Sequence, residues 1–69
     1  MENRLEQLRK SRSLKQDELA DAVGVSRQTI ISIERGRYNP SILLAFRIAE
    51  YFGMKIEDIF IYGSDKNEM

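Results

Sequence analysis

The side chains best suited to chemistry sit in one thirteen-residue stretch, Gly24 to Gly36, "GVSRQTIISIERG". Arg27, Gln28 and Thr29 crowd together where burial in a core would ask for nothing so polar. An arginine can pair bidentately with guanine O6 and N7, and a glutamine with adenine N6 and N7. Ser32, one helical turn further on, shares their face. Such a set would read base edges if the stretch were a helix whose first turn enters a DNA major groove. Each residue also has a plainer use: Gln28 as a solvated helix residue, Arg27 as a phosphate contact. Ile31 interrupts the polar face. It suits the edge of a core, or contact with a thymine methyl or a deoxyribose.

Other chemistries are excluded by what the chain lacks. It has neither cysteine nor histidine, so disulfides, Cys/His zinc sites and thiol or imidazole catalysis are out. No nucleophile–base pair is evident, and 69 residues are too few to enclose a substrate pocket. An enzyme is not expected, and neither a cofactor nor a metal is called for. The net charge is zero, but it is unevenly spread. Residues 1–38 hold eight Lys/Arg against six Asp/Glu, whereas residues 39–69 hold three against five. Asp17, Glu18 and Asp21 are bunched together, which leaves Arg27, Arg35 and Arg37 opposed only by Glu34. The charged N-terminus "MENRLEQLRK" does not resemble a signal peptide. The longest apolar run, Ile42 to Phe46, is far too short to cross a bilayer. A cytoplasmic protein is the expectation.

Five short helices would position these groups. Asn3 can cap a first helix carrying Leu5 and Leu8. After a link at residues 11–15, "QDELADAV" places Leu19, Ala20 and Val23 on one face and stops at Gly24. Ser26 is placed as N-cap of the third helix, its hydroxyl accepting a first-turn amide. Ile30 and Ile33 form that helix's inward face, and Gly36 ends it. "RYNPS" is a loop, with Ser41 or the Asn39–Pro40 pair capping helix four. "ILLAFRIAEYF" is the most apolar segment, with Leu44, Ile48 and Tyr51 or Phe52 at core spacing, ended by Gly53. A last turn, "KIEDIF", groups Ile56, Ile59 and Phe60. No strand signal precedes the C-terminus, where "FIY" could form a short strand. The expected architecture is an all-α, compact five-helix domain over residues 1–62, with a flexible tail at 63–69. Helices two and three, joined by a few residues around Gly24, must cross steeply, as in a helix-turn-helix.

The ordered series Gln16, "ELA", "GVSRQTI", "IERG", "NPS" and "DIF" resembles the helix-turn-helix domain of the Xre/Cro/434-repressor (lambda repressor-like) family over about residues 4–60. The resemblance implies that Arg27, Gln28 and Ser32 face base edges while Ser26 and Thr29 lie near the DNA backbone. It implies that Gln16 reaches a phosphate and braces Gln28, and that Arg37, Tyr38 and Asn39 touch phosphates from the following loop. It also implies a structural ion pair between Arg9 and Glu34, with an exposed surface pair as the plainer reading. Gln16 could otherwise serve as a capping-box partner for Ser13. One departure concerns the cap of helix two, which falls on Lys15, a side chain with no acceptor. Either Ser13 substitutes or the helix frays.

These readings lead to a sequence-specific, double-stranded DNA-binding transcriptional regulator, a repressor acting as a homodimer on an inverted repeat. The dimer surface is sought in the apolar C-terminal block, at Ile59, Ile61 and Tyr62, with "FIY" pairing with its twin. The competing assignment closes the monomer core with Ile56, Ile59 and Phe60. The rival function is an antitoxin or other protein-interaction module with DNA binding secondary. No small-molecule ligand or membrane partner is evident.

Overall fold

The computed structural model describes residues 1–61; Tyr62 and the tail 63–69 lie outside the described residues. The chain forms β1 (Glu2–Asn3), α1 (Leu5–Ser11), α2 (Gln16–Val23), α3 (Arg27–Glu34), α4 (Ile42–Phe52), α5 (Ile56–Ile59) and β2 (Phe60–Ile61). The five helices surround one core in which Leu5, Leu19, Ile30, Ile33, Ile48 and Ile59 are fully enclosed. Every helix except the link-bounded ends of α1 thus contributes at least one side chain to the same centre.

Local chemistry sets most boundaries. Gly24 at the end of α2 adopts the left-handed φ of +78°, and its amide bonds to the Ala20 carbonyl. The Ser26 hydroxyl accepts the Thr29 amide at 3.2 Å and so caps α3. Ser41, rather than the Asn39–Pro40 pair, caps α4, accepting the Leu44 amide at 3.2 Å. In α4, Leu44, Ala45, Ile48, Ala49 and Phe52 are buried, while Tyr51 faces outward.

Three local expectations change. A strand precedes α1: Glu2–Asn3 pairs antiparallel with Phe60–Ile61, in the register Glu2 to Ile61 and Asn3 to Phe60. The C-terminal strand therefore finds its partner within the same chain and not in a twin. Asn3 stitches this ribbon to two helices, its Oδ1 accepting the Leu5 amide at 3.1 Å and its Nδ2 donating to the Ile33 carbonyl at 2.8 Å. At the start of α2, Ser13 supplies no cap. It has φ +56° in the turn closing α1, its amide bonding to the Lys10 carbonyl. The helix is secured by its own acids, since the Glu18 carboxylate accepts the Lys15 amide at 2.8 Å and Asp17 accepts that of Glu18 at 3.0 Å.

Candidate nucleic-acid interface

Helix α3 is held by its inward face and offers the rest. Ile30 and Ile33 are completely buried, which turns Arg27 and Gln28 outward. Ser26 is exposed, and Thr29 and Ser32 are half-buried. Gln28, Ser32 and Tyr38 line one shallow depression together with Ser26 and Thr29. The Ser26 and Thr29 hydroxyls lie 3.0 Å apart, so both are engaged in the cap and stand beside the reading edge rather than at its centre. Arg27 belongs to a neighbouring depression that it shares with Lys10, Lys15, Gln16 and Asp17. The two lysines were not singled out from the sequence. Their only signal was basic charge at Lys15, where a cap was missing.

Behind this face lies a buried polar network. Arg9, 7% exposed, donates from Nε to Glu34 Oε2 at 2.6 Å, from Nη2 to Glu34 Oε1 at 3.2 Å, and from Nη1 to the Leu14 carbonyl at 2.8 Å. The hydrogen bond to Glu34 raises the Arg9 pKa above its ordinary value, against burial, which lowers it. The fork-to-carboxylate geometry ties α1 to α3. Because the Glu34 side chain is only 3% exposed and already engaged, it does not offset the outward charge of Arg27, Arg35 and Arg37. A chain of zero net charge thereby acquires a locally basic face.

Gln16 joins this network: its Nε2 donates to Glu34 Oε1 at 3.1 Å. Its recorded partner is thus neither Ser13 nor Gln28, and the amide is held from behind by the scaffold. Nε2 carries two hydrogens, so one stays available to an outside acceptor.

The loop after α3 divides. Arg37 is exposed, and its amide bonds to the Ser32 carbonyl at 3.0 Å. Tyr38, 45% exposed, turns toward the α3 face. Asn39 is exposed as well, but it borders an apolar pocket with Pro40, Ile42 and Phe60 on another side. Ile31 is half-buried and stands outside the cluster of packed core residues. Four residues after Arg27 and three after Gln28, it lies on the outward face between them. At the C-terminal end, Ile59 is fully buried in the monomer core and offers no surface to a second chain. Ile61 is half-buried and paired in the ribbon, and Tyr62 falls outside the described residues.

Among the described residues, no helix is long and apolar enough to cross a membrane, and no group of acidic side chains is arranged to hold a metal ion.

A helix-turn-helix family model, HTH_3, matches residues 5–59. An uncharacterised HTH-type transcriptional regulator of Methanocaldococcus jannaschii is 58% identical over 66 residues, which span 96% of this chain and all of that protein. The immunity repressor protein of Bacillus phage phi105 is 38% identical over 56 residues, covering 81% of this chain and 39% of the phage protein. Among solved structures, the restriction-modification controller protein C.AhdI from Aeromonas hydrophila superposes with a TM-score of 0.75 at 30% identity, covering 83% of this chain and 86% of the controller. The compact five-helix fold, the steep α2–α3 pair and these relatives place the chain in one class. It belongs to the HTH_3, Xre/Cro-like family of helix-turn-helix transcriptional regulators, DNA-binding proteins and not enzymes.

Proposed function

We propose that this regulator is a sequence-specific repressor that binds an inverted repeat as a homodimer, with α3 lying in the major groove of each half-site. The observation that carries the reading is the outward first turn of α3, where Arg27 and Gln28 project from a helix anchored by buried Ile30 and Ile33. Ser32 extends the reading edge, and Ile31, central on the same face, meets a thymine methyl. Gln16, Ser26, Thr29, Arg37, Tyr38 and Asn39 fix the register through phosphates, contacts that position without specifying sequence. Lys15 and Lys10 add charge beside Gln16. Similarity to a phage immunity repressor supports repression as the outcome.

Footprinting on DNA upstream of the protein's own gene, followed by fluorescence titration on the protected duplex, tests the proposal. The expected result is a protected inverted repeat with half-sites about 10 bp apart, bound in a strongly salt-dependent way. If no duplex binds above the non-specific level, the specific-repressor reading fails.

A further inference from the structure

Helix α4 is apolar on the wrong side as well as the right one. Its inner face carries Leu44, Ala45, Ile48, Ala49 and Phe52 into the core. Its outer face still presents Leu43 at 58%, Phe46 at 57% and Tyr51 at 40% exposure. A helix that is apolar all round belongs inside something larger. Beside the stripe runs an open groove of about 880 Å³ between α4 and the start of α5, walled by Leu43, Phe46, Met54 and Ile56. Its rim holds Arg47, Glu50, Lys55 and Glu57, two charges of each sign. Among the described residues none of the four takes part in an ion pair.

We infer that this outer face of α4 is covered by a second copy of the same chain, through an antiparallel α4–α4 pairing. The proposal rests on the homodimer reading above and relocates its surface from the C-terminal block. The argument is self-complementarity. The antiparallel register that sets Arg47 against Glu50 of the second copy also sets Phe46 against Tyr51 and Leu43 against Met54. One alignment therefore matches opposite charges and apolar side chains together, which a two-fold interface requires of a single patch. A rim of balanced sign on a chain of zero net charge adds no repulsion between copies. The stripe covers on the order of 500 Å² per copy, near the lower limit of about 1,200 Å² total for a specific interface. The dimer is consequently reversible, forming in the micromolar range. The face contains none of the residues assigned to DNA, so both can be occupied at once.

The test is sedimentation equilibrium on the full chain, with circular dichroism to establish that each variant is folded. The wild type should associate to a dimer, and Leu43→Glu and Phe46→Glu should be folded monomers with dissociation constants raised at least about 100-fold. Arg47→Glu and Glu50→Arg should each weaken association about tenfold. The double variant should return to within about threefold of wild type, which also serves as the test if an apolar variant fails to fold. A wild type that remains monomeric to about a millimolar overturns the proposal, as does a dimer that survives both glutamate substitutions. The DNA reading is judged separately on a single half-site duplex, which folded Phe46→Glu should bind as the wild type does. Loss of association with half-site binding intact supports the α4 surface, whereas an α4 dimer that binds no duplex specifically removes the DNA reading alone.

Discussion

At the scale of single residues, the proposed interface separates side chains that would discriminate bases from side chains that would only hold on. Gln28 projects from a fixed helix turn with no recorded side-chain hydrogen bond among the described residues, whereas Arg37 stands on the loop beyond Gly36. Gln28→Ala should reduce preference at one base position by about 1–3 kcal/mol, while Arg37→Ala should weaken every duplex alike and lower the salt slope by about 1. Titrations against an operator series carrying single base-pair changes check this, and equal weakening of all duplexes by Gln28→Ala would remove it from the reading set. Ile31 makes a sharper case. An apolar side chain half-buried on the outward face, outside the core cluster, has a use if it meets a methyl group. Replacing the contacted thymine by deoxyuridine, which lacks only that methyl, should weaken wild-type binding about two- to fivefold, since one methyl is worth somewhat under 1 kcal/mol. Ile31→Ala should be indifferent to the same change. An operator in which no thymine-to-uracil exchange affects the wild type would return Ile31 to the edge of the core.

At the scale of elements, what fixes α3 against its neighbours is partly apolar and partly ionic, and the ionic part is the more exposed to single changes. Arg9→Met leaves the Glu34 carboxylate buried without its partner, which costs about 3–5 kcal/mol. That is as large as the whole stability expected of so small a core, about 3–5 kcal/mol, so the variant should be largely unfolded at 25 °C. Arg9→Met with Glu34→Leu should recover most of the loss, because neither charge then remains in the interior. Urea unfolding followed by circular dichroism distinguishes the two, and an Arg9→Met midpoint close to wild type would make the pair merely superficial. The helix ends were legible in the sequence because their causes are local: Gly24, Ser26, Ser41 and Gly53 act on their own turn of backbone. The ribbon was not. Two residues are too short to show an alternating pattern, and Glu2–Asn3 is extended only because Phe60–Ile61 lies beside it. Ser13 was misassigned as a cap for a similar reason, since its left-handed φ of +56° comes from the turn that closes α1 rather than from its own residue type. The exposed stripe of α4 was hidden by composition. In so apolar a segment, Leu43 and Phe46 have the same sequence signature as Leu44 and Ile48, and only packing against α2 and α5 decides which face is covered.

At the scale of the whole molecule, one continuous core joins the side that faces DNA to the side proposed to pair. Ile30 and Ile33 of α3 and Ile48 of α4 are all fully enclosed in it, and close-packed interiors transmit displacement and do not absorb it. The direction of α3 is therefore set once the outer face of α4 is paired, and two copies would present their α3 helices at one fixed separation and one fixed rotation about the duplex. This rigidity predicts a strict dependence on half-site spacing. Inserting about 5 bp between half-sites turns the second site to the opposite side of the helix, and about 10 bp restores the face but lengthens the gap by roughly 34 Å. A flexible linkage would tolerate the second insertion. A dimer welded through α4 should tolerate neither, and both DNAs should bind with the affinity of an isolated half-site. The comparison is a titration of three duplexes, and it must be run below the concentration at which free half-sites fill independently. Recovery of full affinity by the 10 bp insertion would mean that the copies are joined through a mobile segment, and the tight coupling between core, α4 pairing and α3 direction would have to be abandoned.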